Sequence, residues 1–165
     1  MDEPVIIADA GPLIALAKLD RLDLLSVFFQ EIFVPEAVAK ECLTDPSRKD
    51  TQRIQETIGH DAFRVVKVSE SGRLRAIRRL LDPGEAQALV LAEKLRAPVL
   101  MDERRGRIES QRMGGRVIGT GALLVAAKRR GLLAEIGPLL AFLVENGYRI
   151  SDRLQLALLE MSGEA

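Results

Sequence analysis

Val5-Ile6-Ile7-Ala8-Asp9-Ala10-Gly11-Pro12-Leu13-Ile14 is the stretch whose reading decides the fold. Its first half is a short, continuous, largely β-branched run, the pattern of a strand buried on both faces. Asp9 closes the run. Pro12 suits the first position of a helix, which would leave Gly11 as the N-cap. Leu13, Ile14, Leu16, Ala17 and Leu19 then give that helix a broad apolar face. A strand that passes this quickly into a helix is the first half of a βα unit.

The same alternation continues outward. Asp20 is expected to cap a short helix over 22–28. Ile32-Phe33-Val34 reads as a strand stopped by Pro35, followed by a helix over 36–43. A polar stretch around Pro46 leads to a helix over 51–58. A strand is expected over 63–68, then a turn at Glu70-Ser71-Gly72 and a helix over 73–81 with a basic face of Arg73, Arg75, Arg78 and Arg79. Asp82-Pro83-Gly84-Glu85 has the layout of a capping box and opens a helix to about residue 95. A strand over 97–101 precedes an arginine-rich loop or helix. A strand over 116–118 is followed by Gly119-Thr120-Gly121, with Thr120 expected as the N-cap of a helix running to Arg130. Two more helices are expected over 138–146 and 151–161. Strands alternating with helices point to an α/β fold: a three-layer α/β/α sandwich around a mainly parallel sheet. No internal repeat or linker divides the chain, so residues 1–165 are expected to be one domain.

At 165 residues with 47% hydrophobic content, the chain is long enough to bury a substantial core. Lys plus Arg (24) equal Asp plus Glu (24), so global charge does not mark a nucleic-acid binder and phosphate contacts must come from local clusters. Near-zero net charge also favours association, and a homodimer is expected. The single Cys42 excludes an intramolecular disulfide and is expected to be a core residue. Met1-Asp2-Glu3-Pro4 lacks the basic start of a signal peptide, and no apolar run nears the ~20 residues of a membrane span. A soluble cytoplasmic protein without membrane contact is expected.

Four acids carry the chemistry. Asp9 and Asp102 each end an apolar strand run, where carboxylates meet the crevice of an open α/β sheet. Glu85 sits at a helix start beside that edge, either as the third residue of a capping box or as a site residue. Glu41 borders the inward face set by Val38 and Cys42, and is either in the cleft or solvated. Clustered carboxylates repel, and a divalent cation removes the repulsion. Hard oxygen donors suit Mg²⁺ or Mn²⁺, with Asp9, Glu85 and Asp102 as ligands. Such a centre can hydrolyse a phosphodiester without a histidine. His60 is the one histidine and lies in a polar stretch, where it is expected at the surface.

Together with residues 5–14, three further segments resemble the PIN-domain family. They are Val34-Pro35-x-x-Val38-x-x-Glu41, Gly84-Glu85-x-x-Ala88-Leu89 and Leu100-Met101-Asp102-Glu103-Arg104. Val117-Ile118-Gly119-Thr120 and the segment from Leu132 to Leu143 resemble a prokaryotic VapC-like toxin subfamily. The resemblance implies metal-dependent cleavage of single-stranded RNA, with Asp9, Glu41, Glu85 and Asp102 at the family's acidic positions. It also implies the toxin half of a toxin–antitoxin pair, held by an antitoxin protein. Arg104, Arg105 and Arg107, directly after Asp102, are candidates for the RNA backbone. Two departures stand out. Position 11 is Gly where many relatives carry a hydroxyl, and Glu-Arg-Arg-Gly-Arg follows Asp102 without a further Asp. They motivate the alternative, an inactive PIN-like scaffold that binds RNA or protein.

Overall fold

Ile6, Ile7 and Ala8 are all fully buried, so the strand they form is covered on both faces, as its unbroken apolar run requires. In the computed structural model, residues 3–165 are described. Met1 and Asp2, which open the stretch read for a leader, lie outside them. The described chain forms two compact units, one ending at Ile118 and one beginning at Gly119.

The first unit holds β1 (Glu3–Ala8), α1 (Ala10–Lys18), α2 (Asp23–Phe28), β2 (Phe29–Pro35), α3 (Glu36–Cys42) and α4 (Lys49–Thr57). It continues with β3 (Phe63–Val66), α5 (Gly72–Arg78), α6 (Pro83–Leu95), β4 (Val99–Leu100), α7 (Arg104–Arg112) and β5 (Val117–Ile118). The five strands make one all-parallel sheet in the order β3-β2-β1-β4-β5. The fold is thus an α/β sandwich, as the alternation of elements predicts. From β1 the chain builds outward through β2 and β3, then crosses back to β4 and β5. The order therefore reverses between β1 and β4, the kind of switch point where such sheets open a crevice beyond the strand C-termini. Ala8 is in register with Leu100, and the Asp9 backbone N–H donates to the Leu100 carbonyl at 3.0 Å.

One core cluster joins Ile7, Val99 and Met101 of the sheet side to Leu74, Ile77 and Leu81 of the α5 segment and to Ala88 and Leu89 of α6. Ile6, Ile32 and Leu100 are also fully buried, so both sheet faces exclude water. Cys42 is buried and unpaired, as expected of a core residue, and burial pushes its thiol up to about 12.

Several boundaries differ from the sequence reading. Helix α1 begins at Ala10, so Asp9 rather than Gly11 holds the N-cap position, although its side chain makes no capping bond. Asp20 caps nothing. Its backbone is left-handed (φ 54°), its carboxylate lies 3.5 Å from Arg53, and Leu22 stands at the start of α2. Strand β2 starts three residues earlier than expected, because α2 ends directly into it. Strands β4 and β5 are shorter, since their ladder runs only through Val99–Val117 and Leu100–Ile118. The arginine-rich stretch after Asp102 is helix α7.

The second unit comprises α8 (Thr120–Arg129), α9 (Gly137–Glu145) and α10 (Asp152–Ser162). Thr120 is the first residue of α8 and Gly119 its N-cap, so the expected Thr120 cap is corrected. Gly121 has a packing reason. A Cβ there would lie 2.4 Å from Leu158 Cδ1, so its absence lets α8 and α10 approach closely. Near the chain end, Glu164 accepts the backbone N–H groups of Ile136 and Gly137 at the start of α9 and pairs with Lys128 at 2.9 Å. These donors pull its carboxyl down to about 2. Among the described residues no helix is long and apolar enough to cross a membrane.

Candidate active site

Asp9 is 5% exposed, and its Oδ1 is the one fully buried side-chain polar atom without a hydrogen-bond partner among the described residues. Unpaired buried polar atoms are rare, because each carries its full desolvation cost. Burial pushes the Asp9 carboxyl up to about 8; the Ala10 backbone N–H opposes this, while Glu85, Asp82 and Glu41 reinforce it. The chain thus places a carboxyl where strand β1 passes into α1, dry on one side and facing other acids.

Those acids come from two helices that pack on each other, α3 and α6. Glu85 and Asp82 form the capping box that the sequence predicts. The Glu85 N–H donates to Asp82 Oδ1 at 2.8 Å, and the Asp82 N–H donates to Glu85 Oε2 at 3.4 Å. Capping and site geometry are therefore compatible in Glu85. Partial burial, then the negative charge of Asp82, raises its carboxyl to about 7, with Glu103 adding to the effect. Glu41 reaches over the beginning of α6, where Gly84 leaves room. A Cβ at residue 84 would lie 3.2 Å from Glu41 Oε2 and 3.4 Å from Val38 Cγ2. Desolvation and the nearby Asp82 also raise Glu41.

The structure thus gathers Asp9, Glu41 and Glu85 into one electrostatic neighbourhood and adds Asp82. The sequence reading gave Asp82 only a capping role. Its signal was present in the spacing: an N-cap three residues before Glu85 must share that carboxylate's surroundings. Asp102 is half-buried just past β4, one residue beyond Met101, whose N–H donates to the Ile118 carbonyl at 3.0 Å. It follows the strand that pairs with β1, across the switch point from Asp9. Among the described residues, no three His, Cys, Asp or Glu side chains are already disposed to hold an ion. The donor set nevertheless suits a hard cation, with one orphaned oxygen and two further carboxyls whose charged forms are disfavoured by burial and by Asp82.

Of the three arginines expected at RNA, Arg104 and Arg105 are exposed on the first turn of α7. Arg107 is half-buried and donates from Nη1 to the Met101 carbonyl at 3.1 Å, holding α7 against the end of β4. His60 is exposed, as its polar surroundings predict.

The family model described as DUF3368, PIN domain, matches residues 5–164. The chain belongs to the PIN-domain family. PIN-domain proteins are generally nucleases, so hydrolysis of nucleic acid is the broad activity class of this fold. A PilT N-terminus domain protein from the hyperthermophilic archaeon Sulfolobus solfataricus P2 superposes on this PIN domain with a TM-score of 0.49 at 12% identity. The match covers 74% of this chain and 92% of that one. No curated protein matches the chain.

Proposed function

We propose that this PIN domain is a divalent-metal-dependent endoribonuclease that cleaves single-stranded RNA, acting as the toxin of a toxin–antitoxin pair. The observation that carries the metal is the buried Asp9 Oδ1, which no protein donor satisfies. Asp9, Glu85 and Asp102 would hold Mg²⁺ or Mn²⁺, and Glu41 would complete the acidic set. When bound, the ion supplies Lewis acidity toward phosphoryl oxygens and acidifies water at the scissile bond. The chain's own residues prepare for this. Asp9 and Glu85, raised to about 8 and about 7, favour the protonated form near neutral pH and would give up those protons to hold a cation. The capping box fixes Glu85 on a helix start rather than a mobile loop. The toxin role, an antitoxin partner, homodimer formation and a cytoplasmic setting rest on the motif resemblance and composition.

Purified protein is expected to cleave single-stranded RNA with Mn²⁺ and to stop when EDTA is added. Cleavage that persists in EDTA would reject the metal. Gly11 and the lack of a further Asp after Asp102 support a second reading, a PIN-like scaffold without turnover that binds RNA or protein. Calorimetric titration with Mn²⁺ separates the two. A folded protein that takes up no ion at millimolar metal is the scaffold.

A further inference from the structure

Helix α5 carries three arginines and a fourth at its C-cap, and the three within the helix are neutralised in place. Arg73 pairs with Glu93 at 2.9 Å, while Arg78 and Arg75 pair with Glu70 at 2.6 and 3.9 Å. Arg79, the C-cap of the same helix, is exposed, and its guanidinium makes no ion pair or hydrogen bond with any described residue. The same is true of Arg105 on α7. These two unpaired arginines line one cavity of about 360 Å³, together with Leu80, Asp82, Glu85 and Glu103. That volume lies in the ~300–1,000 Å³ range of small-ligand sites.

The charge pattern of this cavity selects its ligand. Two guanidiniums and three carboxylates share one opening, yet neither arginine is within ion-pairing distance of a carboxylate. A phosphodiester chain can set one phosphate against the two unpaired guanidiniums while the neighbouring phosphate lies at the acids proposed to hold the cation. Leu80 adds an apolar surface, 45% exposed, for a sugar or base face. The connection that carries Arg79 is short and anchored. The N–H groups of Leu80 and Leu81 bond to the Ile77 carbonyl, Leu81 is buried in the core, and Asp82 caps α6. The backbone of Arg79 is therefore held at a set distance along this short connection from Glu85.

We infer that this cavity is a nucleotide subsite of the proposed ribonuclease, in which Arg79 and Arg105 hold a phosphate next to the scissile one and Leu80 packs against its nucleoside. The subsite deepens the ribonuclease reading above and rests on it. Its test is binding of a fluorescein-labelled single-stranded RNA of about ten nucleotides, read by anisotropy in EDTA across a salt series. Arg79→Ala is expected to weaken binding about tenfold and to lower the salt slope by roughly 0.7, the loss of one phosphate contact on a single strand. Arg79→Lys should keep the slope. Leu80→Ala should weaken binding a few-fold at unchanged slope, and Arg75→Ala, already paired with Glu70, less than about twofold. Melting curves close to wild type establish that each variant is folded. Two results overturn the subsite: no RNA binding by the wild type at about 50 mM salt, or Arg79→Ala and Arg75→Ala behaving alike. The two readings fail separately. Wild type that binds with the expected Arg79 dependence but never cleaves with Mn²⁺ retains the subsite and loses the nuclease. Wild type that cleaves, with Arg79→Ala equal in kcat/KM and affinity, does the reverse.

Discussion

Asp9 shows how one residue can be costly to the fold and suited to a site. Its folded-state carboxyl is raised to about 8 from an unfolded value of 3.8. The folded chain therefore binds more protons than the unfolded chain between those limits, and stability falls as pH rises through them. Asp9→Asn removes that penalty. In EDTA at pH 8 the variant is expected to melt several degrees above wild type, and a lower melting point would mean that Asp9 is not the strained group. In Mn²⁺ the same change should lower RNA cleavage by on the order of 100-fold or more, about 3 kcal/mol of transition-state stabilisation. Retained cleavage by Asp9→Asn would remove Asp9 from the chemistry. The paired gain in stability and loss of activity belongs to a functional carboxyl and not to a helix cap.

Elements were legible wherever a local rule governs them. The capping box at Asp82–Glu85, the buried strand through Ile6–Ala8 and the α8 helix were all readable from spacing. The starts of α1 and α8 were not, because a helix can begin at or before the residue that looks like its cap once tertiary packing holds the extra residues, and α2 began later than Asp20 suggests. In the Gly119-Thr120-Gly121 segment, Gly121 owes its identity to Leu158. Gly121→Ala is expected to cost about 1–3 kcal/mol by overpacking. Chemical denaturation reads this directly, and an unchanged midpoint would show that α10 shifts freely. Gly106 is similar, since a Cβ there would lie 2.3 Å from Met101 Sδ. At the helix caps, Asp82→Ala should cost about 1 kcal/mol through the lost bond to the Glu85 N–H. A loss near zero would show that the acidic repulsion it relieves offsets the cap.

For the whole molecule, opposed titrations shape the stability curve. Glu164, lowered to about 2, contributes stability that is present above pH 4.5 and lost as pH falls toward 2. Asp9, Glu85 and Glu41 are raised, so their burden grows as pH climbs from about 4 to 8. Metal-free protein is therefore expected to melt highest near pH 4–5 and lower at pH 8. Mg²⁺ should move the optimum toward neutrality by binding only the folded state. A flat melting temperature from pH 5 to 8 in EDTA would contradict the acidic neighbourhood. Periodicity and caps that span a few residues fix the alternation of strands and helices, the α/β class and the positions of the acids at strand and helix ends. Packing between distant elements sets which acids share a field and which arginines stay unpaired. Asp82 joins Asp9 because α6 packs against β1, and Arg73 differs from Arg79 because it meets Glu93 at 2.9 Å in space, although Glu93 is nearer to Arg79 along the chain. Charge coupling depends on distance through space, and no local pattern of residues records that distance.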